Sequence, residues 1–126
     1  MIDIRIHTIP HEKQRYETAG DWDFAPDGSL DIYVSDMQNP DAEFLCAVHE
    51  LVEVWLARKR GVTQAEVDKF DMEWQGTPEN PDEPGCDPMS PYHRDHEAGE
   101  VIERVLAQLM GVDWHEYNKA YDRLGA

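Results

Sequence analysis

The sequence predicts an α+β domain: a short three-stranded antiparallel meander followed by about four helices. Three observations carry that expectation. The first third of the chain alternates apolar and polar residues with a period of two. From Asn39 onward the periodicity becomes helical, punctuated by capping residues and glycines. A chain of 126 residues with 40% hydrophobic content suffices for one core, and no break in composition divides it. Residues 1–126 are therefore expected to form a single domain.

The elements follow in order. Ile2, Ile4 and Ile6 alternate with Asp3, Arg5 and His7, a half-buried strand. Residues 14–24 alternate more weakly, through Trp22 and Phe24, and give the second strand. PDGS at 26–29 is a turn signal. LDIYVSDM at 30–37 is the third strand, rich in β-formers. Asn39 and Pro40 open a helix as N-cap and first helical residue, and it runs through Arg58–Arg60 to Gly61. Thr63 and Glu66 form a capping box for a second helix ending near Gly76. Residues 77–91 hold five prolines and read as a long loop inside the domain. A third helix covers 92–110, and Asp113 with Glu116 caps a last one to about Leu124.

Charge narrows the function classes. The formal net charge is −16, which repels nucleic-acid phosphates and anionic membranes and attracts cations or a basic partner. No apolar run reaches the ~20 residues of a membrane span. MIDIRIHTIPHEKQ does not read as a signal peptide, so a cytoplasmic protein is expected. The expected partner is a peptide or small-molecule substrate. Cys46 and Cys86 form no Cys-x-x-Cys pair, which argues against a thiolate zinc site. Cys46 reads as a small buried residue.

Two pentapeptides carry the chemistry: HELVE at 49–53 and HEAGE at 96–100, each His-Glu-x-x-Glu on a helix. Residues i and i+4 share a helix face. On the first helix Phe44, Leu45, Val48, Leu51, Val52, Trp55 and Leu56 form the expected core stripe. His49 and Glu53 lie opposite it, beside small Cys46 and Ala57. On the third helix the expected core stripe is Ala98, Val101, Ile102, Val105, Leu106 and Leu109. His96 and Glu100 lie off its centre, with Gly99 between them.

Zinc hydrolases need three protein ligands, an open position for water and a carboxylate beside that water. His49 and Glu53 supply two ligands one turn apart, and Glu50 is the catalytic base between them. The third ligand is expected from the later helix, His96 first and Glu100 second, with His93 and Glu97 as supporting groups. The plain alternative is a pair of solvated acidic helices. Asp68 and Asp71 read as a solvated face, His7, His11 and His115 as surface. Trp55, Trp74, Trp114, Tyr117 and Tyr121 read as helix-packing residues.

The stretch AVHELVEVWLARKRGVT, followed by a His/Glu helix and GVDW, resembles small zincin-like proteins of phage or prophage type. That resemblance implies a minimal metallopeptidase-like fold, with a strand edge lining a cleft over the HELVE helix. It implies zinc as cofactor, and a metallopeptidase or an inactive relative as function. The chain departs from common zincins in having Glu53 where they have His. A second resemblance is to all-α nucleotide pyrophosphohydrolases, through Glu50-x-x-Glu53 and Glu97-x-x-Glu100, which implies Mg²⁺. There the N-terminal strands have no counterpart. A third reading is a non-catalytic acidic module that binds a basic partner or mimics DNA.

Overall fold

A computed structural model of the protein describes residues 1–76 and 83–125. The strands are β1 (Ile4–Ile9), β2 (Gly20–Phe24) and β3 (Leu30–Ser35). The helices are α1 (Pro40–Lys59), α2 (Gln64–Glu73), α3 (His93–Leu109) and α4 (Trp114–Asp122). Single 3₁₀ turns lie at His11–Lys13, Pro84–Cys86 and Arg123–Gly125. The α+β class and the helix order match the sequence reading.

The sheet is mixed, not the antiparallel meander expected. Its order is β1-β3-β2, with β1 parallel to β3 and β2 antiparallel to it. Ile32 of β3 stands between Ile6 on one side and Trp22 on the other. The reason lies in burial. Leu30, Ile32 and Val34 are the most apolar inward row in the sheet, and the central strand gives that row cover on both flanks. β1 carries charged residues and an exposed Ile6, and it takes an edge.

Residues 14–19, expected to be strand, instead carry the chain across the end of the sheet. Gln14 holds this crossing in place. Its Nε2 donates to Ala19 O, Tyr33 O and Ser35 Oγ. The β2–β3 turn closes through Ala25 N–H to Ser29 O at 2.9 Å, with Gly28 at φ +91°.

The helix boundaries follow the chemistry read from sequence. Asn39 Oδ1 accepts from Ala42 N, and Thr63 with Glu66 completes the capping box of α2. Asp113 caps α4 through Glu116 N. Gly61 and Gly111, both left-handed, end α1 and α3.

The helix faces are turned relative to expectation: Leu45 is buried and Leu51 and Leu106 pack against the core as expected, but much of each apolar stripe faces outward. Phe44, Trp55 and Leu56 of α1 are exposed, as are Val101, Ile102, Val105 and Leu109 of α3, the last 77% accessible. The buried residues of α1 are Ala42, Leu45, Cys46, Ala47, His49, Glu50, Glu53, Val54 and Ala57. Those of α3 are Asp95, His96, Gly99, Glu103 and Ala107. Small residues at these positions let the two helices approach closely enough for their polar side chains to meet.

The apolar core lies elsewhere. Trp22, Leu30, Ile32, Val34, Ala47 and Val54 fill the space between sheet and α1. Ala42, Leu45, Ala107, Tyr117 and Ala120 seat α4. Each large aliphatic buried this way contributes about 1.5–3 kcal/mol. Tyr117 belongs to that core as expected, whereas Trp55 does not. No helix among the described residues is long and apolar enough to cross a membrane.

Candidate metal centre

This turning of α1 and α3 brings three lone-pair donors together. His49 Nε2, Glu53 Oε2 and His96 Nδ1 form a triangle with sides of 3.0, 3.1 and 2.9 Å. All three side chains are buried. Hydrogen bonds alone satisfy this triangle poorly. Glu53 Oε2 accepts from both imidazoles, but the nitrogen–nitrogen side then sets two N–H groups against each other. One cation at the centre satisfies all three lone pairs. Zinc bonds of about 2.0–2.1 Å place tetrahedral ligand atoms about 3.3–3.4 Å apart. The triangle is a few tenths of an ångström tighter, a difference that small side-chain rotations absorb.

Neighbouring groups fix which atom each ligand presents. Glu103 Oε1 lies 2.8 Å from His49 Nδ1, so Nδ1–H donates there and Nε2 faces the triangle. The other oxygen of Glu103 accepts from Tyr117, whose hydroxyl also meets Tyr121. Trp22 Nε1–H donates to Glu53 Oε1 at 2.9 Å, leaving Oε2 inward. Strand β2, helix α3 and helix α4 thus each hold one part of the centre.

Three glycines make room. A Cβ at Gly99 would lie 2.9 Å from His49 O and 3.2 Å from its Nδ1. One at Gly85 would lie 2.7 Å from His96 Nδ1, and one at Gly20 would lie 2.6 Å from Glu50 Oε1. Each glycine therefore touches a different member of the site, and side chains there would push that member away.

The electrostatics follow from burial against pairing. Burial disfavours the charged form of Glu53, but hydrogen bonds from His49 and His96 outweigh it and hold its pKa down at about 2. Burial likewise opposes the charge on His96. Its contacts with Cys86 and Glu53 prevail and raise it to about 11. His49 is also raised, its bonds to Glu103 and Glu53 overriding desolvation. Glu50 behaves differently. Burial and the nearby Glu53 charge push its carboxyl well above the usual range. Two carboxyls one turn apart are thus driven in opposite directions, one toward holding positive charge and one toward holding a proton.

The centre opens on a cleft of about 500 Å³, lined among others by Gly20, His49, Glu50, Glu83, Cys86 and His96. Its wall includes Thr18, Ala19 and Gly20, at the start of β2.

Of the residues singled out from sequence, His49, Glu53 and His96 meet, and Glu50 lies beside them in the cleft wall. Glu100 does not join the triangle. It pairs with Arg104 at 3.2 Å on the rim, because Gly99 and Glu103 take the inward positions of α3. His93 and Glu97 pair with each other, and His93 Nδ1 meets Gly85 O. Asp71 is not on a solvated face. It is buried under the hydroxyls of Tyr16 and Tyr92, at 2.8 and 2.7 Å, and burial raises it to about 6. Asp68 pairs with Arg15. His11 is part-buried at the cleft, bonded to Ser35 and Glu17, while His115 is exposed.

Sequence reasoning missed Glu103, Trp22, Glu83 and Cys86. Glu103 had a signal: His96, Gly99, Glu103 and Ala107 recur at helical spacing and make a polar-and-small stripe. Residues 83–91 of the long proline-rich loop fold as a 3₁₀ turn and further turns, and residues 77–82 lie outside the described residues. Compared with family models, curated proteins and solved structures, the chain finds no match, so its own chemistry carries the functional reading.

Proposed function

We propose that this chain is a zinc-binding, hydrolase-like protein in which His49, Glu53 and His96 hold the metal and Glu50 serves as the base. The observation that carries the reading is the triangle of converging lone pairs, oriented from behind by Glu103 and Trp22. Two imidazoles and one carboxylate are a zinc donor set. Three protein ligands leave a fourth position for water or substrate, the arrangement of a catalytic site and not of a closed structural one.

A bound zinc supplies Lewis-acid polarisation of a water or a substrate carbonyl. The chain's own groups do the rest. Glu103 keeps the His49 tautomer, and the Trp22 indole fixes the Glu53 carboxylate. A cation held by the triangle would favour the ionised form of the Glu50 carboxyl, which would then take up a proton from the attacking water and pass it to the leaving group. The substrate in this reading is a peptide or a small molecule, bound in the cleft of about 500 Å³.

The donor set speaks against the Mg²⁺ alternative. Magnesium favours an all-oxygen shell, and the second acidic pair is not gathered: Glu97 pairs with His93 and Glu100 with Arg104. The test is hydrolysis of a mixed peptide and ester library by zinc-loaded protein. Wild type should cleave a subset of the library. Glu50→Gln should keep its zinc and lose that cleavage. Cleavage undiminished in Glu50→Gln removes the assigned base, and cleavage that persists after chelation removes the metal from the reaction.

A further inference from the structure

His96 has two ring nitrogens, and the triangle uses only Nδ1. On its other side Nε2 faces a second set of donors. Cys86 Sγ lies 3.5 Å from Nε2, and Glu83 Oε2 lies 3.6 Å from both Nε2 and Cys86 Sγ. A nitrogen–oxygen separation of 3.6 Å is too long for a hydrogen bond. It is close to what a metal would set. Zinc bonds of about 2.3 Å to sulfur and 2.0–2.2 Å to nitrogen and oxygen place tetrahedral ligand atoms about 3.3–3.7 Å apart.

The loop that brings these donors is built against His96. Pro84 and Gly85 are buried in the 3₁₀ turn. Any side chain at 85 would strike the imidazole, since a Cβ would lie 2.7 Å from Nδ1 and 2.8 Å from Cγ. His93 on α3 holds Gly85 O at 2.8 Å. The turn thus presses its backbone on the ring and swings Cys86 to its outer nitrogen. The Glu83 side chain is 46% accessible and Cys86 lines the cleft, so the group faces an entry path.

We propose a second metal position at the cleft mouth, formed by Glu83, Cys86 and His96 Nε2, which shares its imidazole with the inner one. The proposal rests on the inner site insofar as His96 bridges the two. A thiolate–imidazole–carboxylate set takes a borderline-soft cation such as zinc, cobalt or cadmium. Loading both positions would displace the thiol proton of Cys86, the ring protons of His96 and any proton on His49 Nε2. An imidazolate then lies between two cations, and the protons pass to the buffer.

Cobalt(II) tests this with a readout separate from activity. A thiolate bound to cobalt gives a near-ultraviolet sulfur-to-metal charge-transfer band. Wild type should bind two cobalt ions per chain and show the band. Cys86→Ser, which preserves size, should bind one and lose the band. His49→Ala with Glu53→Gln should bind one and keep it. Circular dichroism checks that each variant is folded. A single cobalt in wild type without the band overturns the outer position and leaves the inner one standing. A single cobalt with the band, unchanged by the double substitution, removes the inner position and leaves the outer.

Discussion

Gly99 is the point at which packing and chemistry meet most tightly, and Gly99→Ala has a definite expected sign. In an ordinary helix interior this change stabilises by about 0.5–1 kcal/mol. Here the new methyl would lie 2.9 Å from the backbone carbonyl of His49 and 3.2–3.3 Å from its ring. An oxygen of the α1 backbone cannot rotate away as a side-chain end can. Relief needs α3 to withdraw from α1 by a few tenths of an ångström along its whole contact, a disturbance of the size that costs about 1–3 kcal/mol in packed interiors. The steric term exceeds the propensity gain, and the net expectation is a loss of about 1–2 kcal/mol. The same withdrawal lengthens the His49 Nδ1–Glu103 bond and spreads the triangle, so zinc affinity should fall as well. Urea unfolding of the metal-free protein gives the first quantity, and competition with a chromophoric chelator gives the second. A variant that is more stable than wild type and binds zinc equally well would refute the packing geometry claimed for α1 and α3.

Further expectations concern the groups behind and beside the ligands. Glu103→Gln keeps the shape but weakens the acceptor for His49 Nδ1–H, and zinc affinity measured at alkaline pH should drop about 10–100-fold. In the metal-free protein, bonds to Glu103 and Glu53 raise the pKa of His49 against desolvation, and contacts with Cys86 and Glu53 raise that of His96. Zinc competes with these protons, so calorimetry in buffers of different ionisation enthalpy should show protons released as the inner ion binds. An absence of proton release would contradict these upward shifts. The raised His pKa values also set a stability window. Their contribution is complete below the unfolded value near 6.5 and is lost as pH rises toward the folded value of about 11 for His96. Thermal melts in chelator should therefore show stability declining from pH 6.5 to 10. Asp71 should titrate near pH 6 by carboxyl NMR, and Tyr92→Phe, which removes a donor to its carboxylate, should move it higher.

The boundaries of the elements were legible because capping is local. Asn39, Thr63 and Asp113 act on amides within their own first turns, and Gly61 and Gly111 act at their own φ angles. Sheet order was not legible in the same way. Whether β1 pairs with β2 or β3 depends on which strand most needs two flanks, a property of the assembled sheet. The helix faces were misread for a related reason. The apolar stripe of α3 is the stronger periodic signal, and it points outward, at Val101, Val105 and Leu109. The inward stripe is small and polar, and it becomes favourable only when the matching stripe of α1 closes over it. His49, Glu53 and His96 were recognisable from spacing and donor type. Glu100 was drawn in by the repeated pentapeptide, although Glu103, one position short of a full turn further on, takes the inward place. Cys86 was set aside for want of a second cysteine, whereas its partners here are a histidine and a glutamate brought by the fold.

The functional proposal stands on transition-metal binding by His49, Glu53 and His96. Elemental analysis tests it most directly, on protein purified without a histidine tag or chelator and dialysed against zinc. Wild type should hold at least one tightly bound zinc per chain, and His49→Ala with Glu53→Ala should lose the inner ion. Wild-type protein that retains no zinc, or a double variant that retains as much as wild type, would contradict it.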